Sequence, residues 1–228
     1  IKEFSKKGYC IIDISKKYVR ELENLNQLIL ENIKNKLGNN KYDLSNFHKI
    51  KLSDVDLNNF RLEVIKTINT KKNLREDIYN SMSNFLDYCL GPDVVMQKNI
   101  NLVIQSPNDK NRSPFHKDAP TASNYELVVW IPLVDCTKTM SMYLFDIKHN
   151  DRGKKLITKN TSQKYIDDFS KKYGKLYNIK FGQVLIFWTN NFHYIPINKE
   201  TKTRWSLNLR YKNLFTQYGT KNFLDYYD

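Results

Sequence analysis

A histidine and an aspartate stand two residues apart in the segment SPFHKDAP, residues 113–120. In an extended backbone, side chains two residues apart point to the same face, so those of His116 and Asp118 could converge on one cation. An imidazole and a carboxylate are both common metal ligands. An isolated H-x-D pair is also typical of a polar turn, in which the aspartate hydrogen-bonds its own backbone. The pair therefore predicts a metal site only if a further ligand accompanies it.

One of the three other histidines occupies a position suited to completing such a site. His48 lies among predicted helices, and His149 lies in the polar segment KHNDRG. His193 follows the β-rich run GQVLIFW after a short turn, where a β-core can present a side chain at its open end. Two histidines and one carboxylate on one face of an octahedron are typical of non-haem Fe(II) oxygenases, whereas zinc more often takes four ligands. Taken alone, His193 is more typical of a hydrogen-bonded core histidine than of a metal ligand.

An arginine-bearing strand follows His193 in the sequence. Arg204 stands eleven residues after His193 in the run TRWSLNLRY. Alternation along a strand separates its apolar side chains from a polar face made of Arg204, Ser206, Asn208 and Arg210. A guanidinium and a hydroxyl on the inner face of a β-barrel are costly unless an anion satisfies them, as a dicarboxylate would. The alternative is that Arg204 pairs with a structural carboxylate such as Glu126 or Asp135.

The first part of the chain, residues 1–93, has apolar residues at the spacing of helix faces. Ser15 is suited to begin a helix and Gly38 to end one, and Gly91 with Pro92 marks a further helix end. Their apolar stripes are expected to face a core. The pattern predicts helices over residues 16–37, 54–68 and 77–90.

The second part, residues 94–228, consists of short β-rich runs separated by turn residues. The runs are VVMQ, NINLVIQ, YELVVWIPLV, MSMYLF, GQVLIFW and RWSLNLRY. A polar insert at residues 151–174 interrupts them, and its later part favours a short helix. The sequence thus predicts one domain over residues 1–228, with an α+β fold in which N-terminal helices pack on a β-core of the sandwich or jelly-roll type.

Composition and charge narrow the class of protein. Hydrophobic residues make up 40% of the chain and aromatic residues 13%, which is enough to bury a core. The net charge of +13 could serve nucleic-acid binding, but the lysines are dispersed and form no basic block, so an anionic small substrate fits as well. No apolar run is long enough to span a membrane, and no leader-like segment begins the chain. Cys10, Cys89 and Cys136 form no C-x-x-C pair, so a cytoplasmic protein with free thiols is expected.

These motifs together resemble a known family. An H-x-D pair, a distal histidine after a G-x-V-x-x-F strand and an R-x-S motif eleven residues later are similar to the 2-oxoglutarate and Fe(II)-dependent oxygenases of the phytanoyl-CoA dioxygenase type. The sequence most resembles the subgroup of sporadic carbohydrate cluster 2OG-Fe(II) oxygenases. The resemblance covers most of residues 99–219, and the opening FSKKGYCIIDI is also similar to that superfamily. It is carried by NINLVIQSP, PFHKD, YELVVWIPLVDCTKTMSMYLF, GQVLIFW and TRWSLNLRYKNLFTQYG.

The resemblance implies a double-stranded β-helix that uses Fe(II), 2-oxoglutarate and O2 to hydroxylate a small polar substrate. The implied iron ligands are His116, Asp118 and His193. The implied cosubstrate-binding residues are Arg204 and Ser206 at the distal carboxylate, together with the polar pair Asn101 and Gln105. The implied substrate class is a sugar or nucleotide-sugar of surface-polysaccharide biosynthesis. Relatives tend to have a small residue after the distal histidine, so Tyr194 predicts a narrower or differently shaped substrate end here.

Two other functions are compatible with parts of this pattern. A catalytically inert jelly-roll that binds metal, acting as a sensor or interaction module, would use the same three ligands. A basic nucleic-acid binder would use the positive charge. Neither accounts for Arg204 and Ser206 at their spacing from His193, and no pattern in the sequence predicts an oligomeric state.

Overall fold

The fold combines helices with two antiparallel sheets, as the α+β prediction expects. The computed structural model describes residues 1–38, 41–110, 113–118, 123–158, 161–220 and 223–228. The α-helices are α1 (Lys2–Lys7), α2 (Lys16–Leu37), α3 (Asp54–Thr70), α4 (Leu74–Asn80), α5 (Ser83–Leu90), α6 (Asn150–Thr158), α7 (Gln163–Tyr173) and α8 (Phe223–Tyr226). Short 3-10 helices lie at Leu44–Lys49, Lys138–Met140 and Ile147–His149. The strands are β1 (Tyr9–Asp13), β2 (Val94–Met96), β3 (Asn101–Gln105), β4 (Glu126–Pro132), β5 (Tyr143–Phe145), β6 (Gly174–Leu176), β7 (Gln183–Trp188), β8 (His193–Tyr194) and β9 (Arg204–Asn213).

Local sequence explains where the two longest helices begin and end. Helix α2 begins after Ser15 and ends at Gly38, whose φ of 62° lies in the left-handed region that glycine adopts freely. Helix α3 begins after Ser53, whose hydroxyl accepts a hydrogen bond from the backbone N–H of Asp56. Helix α2 therefore has the boundaries that the sequence predicts. It buries one apolar stripe, made of Leu22, Leu25, Ile29 and Ile33.

The larger sheet is arranged around the long strand β9. Its order is β1-β7-β4-β9-β2, and β3 also pairs with β9. Along β3, Gln105 lies opposite Arg204 and Asn101 lies opposite Asn208. Residues directly opposite one another in a sheet point to the same face. The pairing therefore places side chains of β3 beside the polar face of β9.

The two faces of the larger sheet have different partners. One face packs against helices α2 to α5 in the main hydrophobic core, where the Trp205 ring N–H donates to the Leu44 carbonyl at 2.9 Å. The other face packs toward the second sheet, which has the order β6-β5-β8. Side chains of both sheets meet there, among them Val128, Trp130, Phe187, Met142 and Leu144. The polar residues of β9 point to this second face, as strand alternation predicts.

The polar insert packs on the smaller sheet through a cluster of mostly aromatic side chains. This aromatic cluster consists of Phe115, Phe145, Leu156, Phe169, Phe192 and Tyr194. Helix α6 approaches it closely at Gly153, where a Cβ atom would lie 2.5 Å from Cδ2 of Phe192. Glycine lowers helix stability by about 1 kcal/mol relative to alanine. Its presence inside α6 is explained by this close contact.

Three features of the fold differ from the sequence-based expectations. The predicted helix over residues 77–90 is interrupted between α4 and α5, where the Ser81 hydroxyl donates to the Ile78 carbonyl at 2.7 Å. Such a local hydrogen bond competes with helix continuation. Strand β1 lies inside the part expected to be mainly helical and joins the larger sheet beside β7. The insert contains α6 as well as the expected later helix α7.

Among the residues described, no helix has the length and apolarity needed to span a membrane.

Candidate metal centre

The two predicted histidine ligands lie on neighbouring backbone segments. His116 and His193 form an isolated antiparallel bridge, in which each backbone N–H donates to the carbonyl of the other residue, at 3.1 and 2.9 Å. The centroids of the two imidazole rings are 4.2 Å apart. A pair of residues far apart in the chain is thereby fixed as neighbours by the main chain itself.

Hydrogen bonds to backbone carbonyls orient both imidazole rings. The Nδ1 atom of His116 lies 2.7 Å from the Pro114 carbonyl oxygen, and that of His193 lies 3.2 Å from the Asn191 carbonyl oxygen. A carbonyl oxygen only accepts, so each Nδ1 carries a proton and Nε2 is the ring atom left to bind a metal. Burial acts to lower the pKa of His116, but its hydrogen bonds with Asp118 and the Pro114 carbonyl raise it. Burial lowers the pKa of His193 to about 4, with the neighbouring His116 acting in the same direction. His193 is therefore neutral at physiological pH, as a metal ligand must be.

Asp118 brings a carboxylate to the histidine pair. Its Oδ1 atom lies 3.5 Å from Nε2 of His116, and its Oδ2 atom lies 3.0 Å from Nη2 of Arg210. Burial acts to raise the pKa of Asp118, but its interactions with His116, His193 and Arg210 together lower it. The carboxylate is thus ionised at neutral pH. Ligand atoms of His116, Asp118 and His193 all lie within 4.8 Å of one another, so these three side chains could hold one metal ion.

Apolar packing supports the histidines from behind. Phe115 and Phe192, the residues that precede the two ligands, stack with their ring centroids 4.9 Å apart. Both rings belong to the aromatic cluster and are almost completely buried. Because neighbouring residues of an extended segment point to opposite faces, this packing and the metal site occupy opposite sides of the same bridge.

Tyr194 also belongs to the aromatic cluster and does not itself narrow the cavity. It is 1% exposed, and it is not among the residues that line the cavity described below. Its hydroxyl donates to Oδ1 of Asp167 at 2.7 Å and accepts from Nε2 of Gln163 at 3.1 Å. Both partners lie on α7. Strand alternation turns Tyr194 away from the site that His193 faces, so its bulk packs against the insert.

A cavity of about 960 Å³ contains the three candidate ligands and the guanidinium of Arg204. Arg204 is 2% exposed, and its Nε and Nη1 atoms have no hydrogen-bond partner in the described part of the chain. Burial lowers the pKa of Arg204 to about 10, which leaves it charged at neutral pH. A buried guanidinium with free donors is costly unless an anion binds it. The cavity therefore offers a site for a carboxylate.

Other polar groups near Arg204 also have unused hydrogen-bonding capacity. Ser206, on the same face of β9, is fully buried, and its hydroxyl has no partner among the described residues. Gln105 lines the cavity and donates to the Pro196 carbonyl at 3.1 Å, while its Oε1 atom has no partner among those residues. Asn101 is exposed and lies outside the cavity lining, although its cross-strand neighbour Asn208 lines it.

The alternative partners considered for Arg204 are engaged elsewhere. Glu126 accepts a hydrogen bond from the Ser123 backbone N–H at 2.9 Å, and Asp135 accepts one from the Phe181 backbone N–H at 2.9 Å. Within the described ranges, neither carboxylate forms an ion pair with Arg204. Arg204 thus lines the cavity without an ion pair to a described carboxylate, and the charge of Asp109, which also lines the cavity, acts to raise its pKa.

Several cavity residues have no role in the sequence-based prediction. Arg210 contacts Asp118, and strand alternation places it on the polar face of β9, so its presence in the site was foreseeable but its partner was not. The remaining polar residues form the rim, which helix α3 and the segment after β3 build together. The rim consists of Asp54, Asn58, Arg61, Asp109, Lys110 and Ser113. No sequence motif marks these residues as a group.

Solved structures with the same overall architecture include non-haem enzymes. A nickel complex of the non-haem monooxygenase ThoJ matches with a TM-score of 0.62 at 13% identity, over 96% of this chain and 79% of that one. EctD from S. alaskensis with bound Fe matches with a TM-score of 0.62 at 12% identity, over the same shares of the two chains. The chain shares their fold. The non-haem α-ketoglutarate-dependent epimerase SnoN from nogalamycin biosynthesis matches with a TM-score of 0.53 at 13% identity, over 92% and 79%. No family model and no curated protein matches the sequence.

Proposed function

We propose that this protein is an Fe(II)- and 2-oxoglutarate-dependent oxygenase with a double-stranded β-helix core in a single domain. One observation carries the proposal: two histidines and one carboxylate converge in the same cavity as a buried arginine whose Nε and Nη1 atoms have no partner among the described residues. The donor set fits iron, and the free guanidinium donors fit a dicarboxylate cosubstrate. A site that bound only a metal would not explain why Arg204 is buried beside it with unpaired donors.

Each residue of the site has a defined task in this reaction. Bound iron supplies the activation of O2, coupled to oxidation of 2-oxoglutarate to succinate and CO2. His116, Asp118 and His193 would hold the metal, and a set of three protein ligands would leave positions for cosubstrate and O2. Arg204 binds the distal carboxylate, with Ser206 and Gln105 as neighbouring hydrogen-bonding groups. Asn101 remains a proposed, more distant member of this set.

The proposed substrate is a small polar molecule that enters past the rim. The rim combines carboxylates, cations, an amide and a hydroxyl, so it offers both donors and acceptors of hydrogen bonds. A sugar or nucleotide-sugar of surface-polysaccharide biosynthesis presents matching hydroxyl groups. The proposed outcome is hydroxylation of a C–H bond. The fold is also that of an epimerase and of the carbocyclase SnoK, so product mass has to be measured to establish the outcome.

The proposal is tested by anaerobic titration of Fe(II)-loaded protein with 2-oxoglutarate. The expected result is a weak visible charge-transfer band in the wild type, which Asp118→Ala eliminates without unfolding the protein. Far-UV circular dichroism of the variant checks its fold. Wild-type protein that binds Fe(II) but gives no band would refute the proposal and favour the inert metal-binding jelly-roll.

A further inference from the structure

Arg210 is a charged side chain in direct contact with a candidate metal ligand. Its Nη2 atom lies 3.0 Å from Oδ2 of Asp118, and its Nη1 atom donates to the Tyr226 hydroxyl at 2.9 Å. Its side chain is 13% exposed and lines the cavity. The guanidinium thus connects the metal carboxylate to the C-terminal segment of the chain.

The two oxygens of Asp118 have different surroundings. Oδ2 faces Arg210, whereas Oδ1 faces Nε2 of His116 at 3.5 Å, on the side where the metal ligands converge. A carboxylate with both oxygens free can bind a metal through one oxygen or through both. With Oδ2 held by the guanidinium in a charge-assisted hydrogen bond, Oδ1 is the oxygen better placed for the metal.

The structure itself fixes the position of Arg210. It lies in the middle of β9 opposite Val128 of β4, so its backbone belongs to the centre of the larger sheet. Its second partner, Tyr226, belongs to a C-terminal segment that pairs with the main chain at β2, through reciprocal hydrogen bonds between Met96 and Asp228 at 2.8 and 3.0 Å. Asp118, in contrast, follows the histidine bridge outside any strand.

We infer that Arg210 is a positioning residue that restricts Asp118 to binding the metal through a single oxygen. This inference rests on the proposed metal site. Single-oxygen binding leaves three open positions on a six-coordinate metal, which is the number needed for a chelating cosubstrate and O2. Binding through both oxygens would occupy one of them. Arg210 thereby acts on coordination number as well as on the orientation of the ligand.

The test uses Co(II), whose visible spectrum reports coordination number and whose affinity is measurable by chelator competition. Groups that hydrogen-bond to metal ligands typically change metal affinity ten- to a hundredfold when removed. Arg210→Met is therefore expected to raise the Kd for Co(II) by about tenfold or more and to change the band positions and intensities. Arg210→Lys, which keeps the charge but lacks the fork that reaches both partners, is expected to show a smaller change of the same kind.

The matched control is Asn208→Ala, a cavity-lining change two residues away on the same face of β9, which should leave the Co(II) spectrum unchanged. Unaltered affinity and spectrum in a folded Arg210 variant would overturn the inference. Tighter Co(II) binding in Arg210→Met with an unchanged spectrum would also overturn it, because repulsion between guanidinium and metal would then outweigh positioning. Failure of the wild type to bind Co(II) would instead contradict the proposed function.

Discussion

The histidine side of the cavity and its β9 side are built by different means. His116 and His193 are joined by backbone hydrogen bonds, and the aromatic cluster packs behind them. On β9, Arg204 and Ser206 are buried with polar atoms that have no partner in the described part of the chain. Packing can hold ligands in place before a metal binds, whereas unsatisfied polar groups gain their partners only when a ligand binds. Substitutions on the histidine side should therefore mainly lower the stability of the protein, and substitutions on the β9 side should mainly lower its affinity for the ligand.

The largest effect on stability is expected from Phe192→Ala on the histidine side. The ring is 1% exposed and stacks on Phe115 at 4.9 Å, and removing a buried phenylalanine side chain costs about 3–5 kcal/mol. The free energy of unfolding, measured by urea denaturation, should fall by that amount. The control Phe215→Ala removes a side chain that is 79% exposed and should change it by less than about 0.5 kcal/mol. Similar losses in the two variants would contradict the role assigned to the aromatic cluster.

On the β9 side, Arg204→Met is expected to reduce 2-oxoglutarate affinity without reducing stability. The change removes a buried charge with unpaired donors but keeps most of the side-chain volume, so the free energy of unfolding should stay the same or rise. Losing a charge-assisted anchor should cost about 2–4 kcal/mol of binding, roughly a 30- to 1,000-fold higher 2-oxoglutarate requirement. Anaerobic titration gives the affinity, and urea denaturation of the same protein gives the stability. An Arg204→Met protein that is less stable but binds 2-oxoglutarate as the wild type does would contradict the assignment of the β9 side to ligand affinity.

The same distinction separates what the sequence predicts from what it does not. Alternation along TRWSLNLRY is a local pattern, so the polar face of β9 is readable without a structure. Local capping signals likewise give the exact ends of α2 at Ser15 and Gly38. The H-x-D pair and His193 are recognisable as candidate ligands from residue type and context, and the structure brings them within ligand distance of one another.

Contacts between distant segments were not predictable in this way. The pairing of Arg210 with Asp118, and of Tyr194 with Asp167, depends on how strands and the insert pack together. Tyr194 was expected to narrow or reshape the substrate end because only its position after the distal histidine was known. Its direction follows from the alternation of a two-residue strand, and its partner from the docking of α7. Neither is encoded in a motif.

The smallest of these effects is expected from Gly153→Ala in α6. The sign of its change in the free energy of unfolding shows whether packing against Phe192 or helix propensity dominates at this position. Alanine normally stabilises a helix interior by about 1 kcal/mol relative to glycine. Here its Cβ would lie 2.5 Å from the Phe192 ring, which is buried and stacked, so the ring or the helix must shift at a cost of about 1–3 kcal/mol. A net loss on the order of 1 kcal/mol is therefore expected from urea denaturation.

The matched control for this prediction is Lys155→Ala, an exposed position in the same helix, where the substitution should change stability by only a few tenths of a kcal/mol. Because Phe192 directly precedes His193, the shift in Gly153→Ala should also reach the metal site and weaken Co(II) binding, which Lys155→Ala should not do. A stabilised Gly153→Ala protein with wild-type Co(II) affinity would show that the histidine side tolerates displacement of its packing. Its ligands would then be held by the backbone bridge alone.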